Sequence, residues 1–128
     1  EKSLEGEFDS RCPICATKEN TIDVIRKNME AEGISFNTEE LEPPHHVPAD
    51  SDFVKTLLSA YESYSGRKGE CIAIGGGTYV HHLKNGVAFG ASMPGVDNRM
   101  HGADEFANVY DLVTSAKIFA LAIVELCG

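Results

Sequence analysis

Basic residues are scarce in this chain, which has eleven Lys and Arg residues against twenty Asp and Glu residues. Nucleic-acid phosphates are bound by clustered Lys and Arg, whereas the basic residues here stand singly or in isolated pairs such as Arg26-Lys27 and Arg67-Lys68. Long hydrophobic runs are missing too, since the apolar-rich stretch 118–126 is far shorter than the ~20 residues of a membrane span. These absences argue against a nucleic-acid partner and against a membrane protein.

Cysteine is also sparse. Four cysteines in 128 residues are too few for a dense disulfide framework, and with the acidic composition they favour a reducing, cytoplasmic location. No signal peptide is visible, but the first residue is Glu1 rather than Met, which makes that absence weak evidence.

The chain does contain the patterning of a globular α/β protein, with 42% hydrophobic residues. Its first part predicts a β-α-β unit that ends in a stiff, proline-rich boundary at 42–48. The predicted elements are strand 7–16, helix 18–32 with Thr17 or Asn20 as its N-cap, and strand 34–42.

The second part predicts a helix-strand-strand-helix segment: helix 51–64, strand 71–74, strand 87–89 and helix 109–126. Residues 79–84 form either a short helix or one arm of a hairpin, and the sequence leaves both open. A strand such as 71–74, apolar enough to be buried on both faces, needs neighbours that this chain hardly supplies. We therefore expect the chain to be a fragment of a larger protein.

Two motifs in the second part have the residue types of a ligand site. Three glycines, at 75–77, precede Thr78 and let a ligand approach the backbone N–H groups, although a tight turn explains them equally well. His101 precedes Asp104 and Glu105, which could orient an imidazole that binds zinc or could merely favour a helix N-terminus. One imidazole cannot hold the ion alone, so partners from elsewhere would be required.

The competing motif is Cys12-Pro13-Ile14-Cys15, which is typical of zinc ribbons and redox pairs. A ribbon needs a second cysteine pair, and Cys71 and Cys127 stand alone. In a strand over 7–16 the two thiols would also face opposite ways. A coincidental spacing is the favoured interpretation.

Together, these residues resemble the C-terminal part of a PepV-type dipeptidase. Such enzymes belong to a zinc peptidase family with carnosinases, carboxypeptidase G and acetylornithine deacetylase. Asp9-x-Arg11-x-Pro13 matches loosely, and five stretches match well. These are I-A-I-G-G-G-T-Y (72–79), K-N-G-V-A-F-G (84–90), M-P-G (93–95), M-H-G-A-D-E (100–105) and Y-D-L (110–112).

The resemblance implies a two-part enzyme in which two zinc ions activate water to hydrolyse short unblocked peptides. Residues 1–47 would be the second half of a lid domain and 48–128 the C-terminal segment of the catalytic domain. His101 would bind zinc, and Arg11 would hold the substrate carboxylate in a pocket that is also lined by Gly76, Gly77 and Thr78.

No catalytic residue is expected within this chain, because the general base and the other zinc ligands would lie upstream, in the N-terminal remainder of the same enzyme. The fragment alone is expected to be inactive. Two alternatives stay open: a small zinc-binding or redox module built on Cys12 and Cys15, and a non-catalytic relative that acts as a binding module. The sequence indicates neither the oligomeric state nor the preferred dipeptide.

Overall fold

The computed structural model describes residues 3–38, 41–90 and 92–128. The chain divides into two compact units. The first runs to His46 and includes Gly75–Gly77, and the second contains Val47–Ile74 and Thr78–Gly128. Within the described ranges, no helix has the length and apolar character needed to cross a membrane.

The first unit contains one helix, α1 (Ile22–Ala31). It begins later than the sequence predicts, because residues 18–21 form turns. The predicted capping residues fix those turns: the Thr17 amide donates to Asn20 Oδ1 at 2.7 Å, and the Asn20 amide donates to Thr17 Oγ1 at 3.3 Å. The helix ends at a left-handed glycine, Gly33, with φ 74°.

That ending is a Schellman motif. The Ile34 amide donates to the Met29 carbonyl and the Gly33 amide donates to the Glu30 carbonyl, both at 3.0 Å. Glycine is required at this position because a Cβ disfavours the left-handed conformation. Gly33 therefore provides the left-handed residue at which α1 ends.

The predicted α/β fold class is wrong, because the described residues contain no strand and no sheet. Outside the helices, their backbone–backbone hydrogen bonds are local, and the widest joins the Phe106 amide to the Asn98 carbonyl. A strand is held by hydrogen bonds to a neighbouring strand, which an apolar pattern alone does not provide. The segments concerned are 7–16, 34–42, 71–74 and 87–89; of these residues, 39 and 40 lie outside the described ranges.

The second unit is built on two helices, α2 (Asp52–Ser65) and α3 (Val109–Cys127). Ser51 caps α2 by accepting a hydrogen bond from the Val54 amide at 3.3 Å, and Asn108 caps α3 by accepting one from the Tyr110 amide at 2.9 Å. A short 3₁₀ helix, Tyr79–His82, lies between them in the chain, where the sequence left a helix or a hairpin open.

The core of the second unit is small and lies between α2 and α3. Leu57 and Ala60 of α2 meet Ile118 and Ala122 of α3, with Met93 completing the cluster. Phe89 packs edge-on against Phe119, with ring centroids 5.5 Å apart. No large side chain among the described residues is completely buried.

One face of α3 is apolar and exposed. The buried face carries Thr114, Ser115, Ile118 and Ala122. We call the opposite side the outer face of α3; its large apolar side chains are Val109, Leu112, Val113, Ile123 and Val124, all at least 48% exposed. A helix that is apolar on all sides is normally covered on all sides.

Candidate functional site

His101 lies in a closed loop of the second unit, residues 98–106. The Phe106 amide donates to the Asn98 carbonyl at 3.2 Å and so joins the two ends of the loop. Inside it, the Gly102 amide donates to the Arg99 carbonyl at 2.7 Å. Together these two bonds restrict the backbone on both sides of His101, which is exposed.

Three residues of this loop that are not glycine have a left-handed backbone: Arg99 (φ 57°), His101 (φ 64°) and Asp104 (φ 57°). Such a conformation costs about 1–3 kcal/mol per residue relative to an unstrained one. Asp and His tolerate it better than most residues, which makes Arg99 the least expected of the three. The loop therefore holds a strained conformation at and around His101.

Polar contacts of the same residues help to keep that conformation. The Arg99 amide donates to Asp97 Oδ1 at 3.0 Å, and Arg99 Nη1 lies 3.9 Å from Asp104 Oδ2. The sequence suggested Asp104 as a carboxylate that orients His101, whereas the structure places it against Arg99.

A cleft of about 200 Å³ lies at the base of the loop. Asn98 and Phe106, which close the loop, form part of its wall, together with Met93 and with Asp111 and Leu112 of α3. The wall thus combines apolar surface with a carboxylate and an amide beside the loop that carries His101.

Arg11 lies in the first unit and makes three polar contacts. Its Nη1 lies 2.8 Å from both carboxylate oxygens of Asp9, and its Nε donates to the Gly75 carbonyl at 2.8 Å. The structure therefore brings Arg11 to the first of the three glycines, a residue 64 positions away in the chain. Its side chain is 62% exposed, so a carboxylate from solution can reach it.

Gly76 and Gly77 also lie in the first unit, and the fold of this chain does not require glycine at either position. Neither has a positive φ, and a Cβ built on either meets no atom within 4 Å. Open space in front of the backbone is what the close approach of a ligand requires.

Thr78, the N-cap of the 3₁₀ helix in the second unit, has a buried hydroxyl. Its Oγ1 is inaccessible and has no hydrogen-bond partner among the residues that the structure describes. An unsatisfied buried polar group costs about 1–3 kcal/mol. A partner from another molecule or another part of the protein would remove that cost.

The imidazole of His101 could serve as one metal ligand, but the described part of the chain does not supply the other ligands of a metal site. It contains no group of three or more His, Cys, Asp or Glu side chains that could hold an ion. Zinc sites in proteins use three or four protein ligands. The role of His101 as a ligand therefore stays a prediction.

The predicted strand is replaced here by a turn over residues 13–16, which the Ala16 amide closes by donating to the Pro13 carbonyl at 2.9 Å. Cys15 lies in this turn and Cys12 directly precedes it. Cys12 is half-buried, Cys15 is exposed, and both thiols are free, as are those of Cys71 and Cys127. The turn removes the geometric objection to a thiol pair, but it does not add a third metal ligand.

The comparison with known families identifies the chain. Residues 5–125 match the model of peptidase family M20/M25/M40. The chain belongs to this family, which confirms the resemblance predicted from the sequence.

Curated relatives agree with the family. The chain is 41% identical over 116 residues to "Putative dipeptidase YtjP" of Bacillus subtilis (strain 168), which covers 91% of this chain and 24% of the relative. It is 46% identical over 85 residues to the Beta-Ala-Xaa dipeptidase of Lactobacillus delbrueckii subsp. lactis, covering 66% of this chain and 18% of the relative. The chain thus spans at most about a quarter of the length of these relatives.

The sequence analysis singled out His101 as a candidate, but it did not single out the residues whose contacts hold the loop around it. Arg99 and Asp97 carry no motif, and left-handed backbone at an arginine is not a propensity that can be read from sequence. The available signal was the run of polar residues 97–99, which Met100 separates from His101 and Gly102.

Proposed function

We propose that this chain is part of a zinc-dependent dipeptidase that hydrolyses short peptides with a free C-terminal carboxylate. The observation that carries the proposal is the family match over residues 5–125. Two relatives bear the names of dipeptidases, one of them for β-alanyl substrates. Dipeptides with an N-terminal alanine or β-alanine are therefore the first substrates to test.

In this proposal His101 contributes one zinc ligand. The left-handed loop presents an exposed imidazole, which supports the assignment. The remaining ligands and the general base would come from the part of the enzyme that corresponds to the other three quarters of its relatives. When bound, two zinc ions would acidify a water molecule and polarise the scissile carbonyl.

Arg11 would bind the substrate carboxylate through its planar guanidinium. Its exposure and its bond to Gly75 support this role. Asp9 already neutralises the same guanidinium, so substrate would have to compete with Asp9 or share Arg11 with it. The open backbone at Gly76 and Gly77 supports the close approach of a ligand to these two glycines. The unsatisfied hydroxyl of Thr78 separately supports a role for that residue in binding a ligand.

The domain assignment follows from the same proposal: residues 1–47 would belong to a lid and 48–128 to the catalytic domain. The outer face of α3 would pack against the N-terminal remainder of the enzyme, because so much apolar surface on one helix is otherwise left in water. A cytoplasmic location, with all four thiols reduced, completes the proposal.

The first experiment uses the 128-residue polypeptide itself. We expect no hydrolysis of Ala-Ala or β-Ala-His, and no zinc retained after dialysis, because one imidazole binds the ion too weakly. Turnover by the pure polypeptide, or stoichiometric zinc, would contradict the proposal that the rest of the site lies elsewhere.

The second experiment uses the full-length polypeptide that contains this sequence. His101→Ala should remove zinc and activity, whereas His82→Ala, an exposed histidine of the same unit, should change neither. Unchanged zinc content in His101→Ala would overturn the ligand assignment.

The role of Arg11 is tested in the same full-length polypeptide. Arg11→Ala should raise KM with little effect on kcat, because a binding contact to the carboxylate is lost while the reacting atoms are unaffected. Arg26→Ala, which breaks a different Arg–Asp pair of the same unit, is its control. A fall in kcat at unchanged KM would contradict the assignment.

A further inference from the structure

Two thiols stand three positions apart in the first unit, at Cys12 and Cys15. A strand would turn them to opposite sides, but a turn over 13–16 lies there instead. Cys12 is half-buried, Cys15 is exposed, and both thiols are free. A C-x-x-C pair with one accessible thiol is the arrangement in which thiol–disulfide exchange commonly occurs. The proposed function uses neither thiol, so the pair is open to a chemistry of its own.

Most of the backbone geometry that a disulfide needs is in place. A disulfide requires Cα atoms about 4.4–6.8 Å apart, which a β-turn beginning at Cys12 and ending at Cys15 would provide. Neither Ile14 nor Cys15 has a positive φ, so the turn over 13–16 is of the common type I and holds Ile14 in the α region. The ring of Pro13 fixes its φ at about −65°, the value that the second residue of such a turn needs.

One backbone torsion separates the observed turn from the turn over 12–15. In the described part of the chain, no backbone hydrogen bond joins the Cys15 amide to the Cys12 carbonyl. Because φ of Pro13 and the conformation of Ile14 already suit that bond, rotation about ψ of Pro13 would form it. The same rotation would bring the two thiols to the same side of the turn.

The chain after Pro13 is anchored and would stay in place during this rotation. Asn20 Nδ2 donates to the Cys15 carbonyl at 2.9 Å. Asn20 is joined in turn to Thr17 by two hydrogen bonds, immediately before α1. Cys15 is thereby tied to the start of a helix.

The chain before Pro13 is held more weakly and would move. Ser10 Oγ lies 3.8 Å from Cys12 Sγ, which is a weak contact. Arg11 Nε donates to the Gly75 carbonyl at 2.8 Å, but its side chain is 62% exposed, so this bond contributes only modestly to stability. Rotation about ψ of Pro13 would therefore displace Arg11 from Gly75.

We propose that Cys12 and Cys15 form a reversible disulfide by exchange with small disulfides such as oxidised glutathione, and that its closure withdraws Arg11 from Gly75. The exposed Cys15 thiolate attacks one sulfur of the small disulfide, whose S–S bond breaks and releases one thiolate. The Cys12 thiolate then attacks Cys15 Sγ in the mixed disulfide, forms the Cys12–Cys15 bond and releases the second thiolate. Two cysteines are oxidised, the small disulfide is reduced to two thiols, and the cysteine protons reach those thiols through solvent.

The consequence is a contact that depends on the redox state. A reducing cytoplasm keeps the pair open, and a rise in small disulfides closes it. Because Arg11 is the proposed contact of the substrate carboxylate, closure would weaken substrate binding. That consequence alone rests on the proposed function, whereas the disulfide and the movement of Arg11 do not.

The first test measures exchange in the 128-residue polypeptide that carries Cys71→Ser and Cys127→Ser, two exposed positions. After equilibration with reduced and oxidised glutathione, acid quenching and alkylation, mass spectrometry should show mainly a species that lacks two hydrogen atoms. Cys12→Ser in this background should instead accumulate the glutathione adduct at Cys15. Adducts alone in the parent, without the closed species, would overturn the proposal.

Pro13 supplies a matched pair of variants. Pro13→Gly should lower the ratio of closed to open pair at least about twofold, because the freed φ must be ordered when the disulfide closes. Pro44→Gly changes another proline of the same unit and should leave the ratio unchanged. An equal ratio in Pro13→Gly and the parent, or an equal loss in Pro44→Gly, would contradict the geometry on which closure depends.

The second test follows Arg11 by NMR and needs neither zinc nor activity. Exchange of the Arg11 Nε–H with water should accelerate at least several-fold on oxidation, whereas the Asn20 side-chain amide that anchors Cys15 should stay unchanged. Arg11→Lys assigns the signal by removing it. An unchanged Arg11 signal in the oxidised polypeptide, or an equal change in oxidant-treated Cys12→Ser, would overturn the proposed movement.

The third test uses the full-length polypeptide and separates this inference from the proposed function. Oxidation should raise KM for a dipeptide with little change in kcat, reversibly, and Cys15→Ser should abolish the effect. If the disulfide forms and Arg11 moves while KM stays constant, the proposed role of Arg11 in substrate binding fails. If the closed species does not form, the inference fails whatever the activity.

Discussion

Replacing Ile118 by alanine should destabilise the second unit far more than the same change at Ile123 in the same helix. Ile118 is 4% exposed and packs between α2 and α3, whereas Ile123 is 62% exposed on the outer face of α3. Because both changes replace Ile with Ala in one helix, their effects on the unfolded chain are closely matched.

The magnitudes follow from burial. Ile→Ala removes three carbon atoms, worth about 2.4 kcal/mol at ~0.8 kcal/mol per buried CH₂ group, and helix propensity returns about 0.4 kcal/mol in favour of alanine. Ile118→Ala should therefore lower the free energy of unfolding by at least about 2 kcal/mol, because the cavity left in the core adds to the lost burial. Ile123, with about a third of its surface covered, should lose about 0.9 kcal/mol of burial and, after the same correction, cost about 0.5 kcal/mol.

Urea denaturation of the 128-residue polypeptide, followed by far-UV circular dichroism, measures both values. The two variants should have equal m-values and clearly different midpoints. Equal costs at both positions would refute the reasoning, since they would mean that the outer face of α3 is as well covered as its inner face. In the full-length polypeptide, by contrast, the cost at Ile123 should rise towards that at Ile118.

Two further substitutions test local features by the same assay. Ser51→Ala should lower the free energy of unfolding by about 1 kcal/mol, because the Val54 amide loses its capping acceptor, and Ser51→Asp should retain most of the stability. An unchanged free energy of unfolding in Ser51→Ala would contradict the capping role of Ser51. Gly33→Ala should cost about 1–2 kcal/mol because its φ is 74°, whereas Gly76→Ala should leave stability unchanged, since its φ is not positive and its Cβ would meet nothing. A large stability loss in Gly76→Ala would contradict the view that this glycine serves ligand approach rather than folding.

The helices could be predicted because their signals are local. Ser51 and Gly33 sit at helix ends where a cap and a left-handed residue are needed, and α2 and α3 lie within a residue or two of their predicted limits. The start of α1 was placed too early because the Thr17–Asn20 pair fixes a turn, and the helix begins only at Ile22.

The strands could not be predicted correctly, because pairing is not local. Residues 71–74 have the apolar pattern of a buried strand, but Ile72 is 83% exposed and Ile74 is 59% exposed. The apolar pattern of these residues indicates which side chains favour burial, but it does not indicate whether another segment lies alongside to pair with them as a strand.

The class of protein was predictable from the sequence, whereas the site chemistry assigned to His101 and the three glycines stays a prediction. The residue types around His101 and the three glycines indicated a ligand site, and the family match confirms the class of protein. The left-handed backbone at Arg99 depends on several simultaneous contacts, each too weak to be inferred from residue types alone.

The outer face of α3 also governs how copies of the polypeptide behave towards one another. With five large apolar side chains in water on one helix, mutual repulsion from the formal net charge of −9 is the main force that opposes association between copies. Salt screens that repulsion, and acidification towards the isoelectric point near 4.9 abolishes it. The tendency of the polypeptide to associate through this face is therefore set by ionic strength and pH.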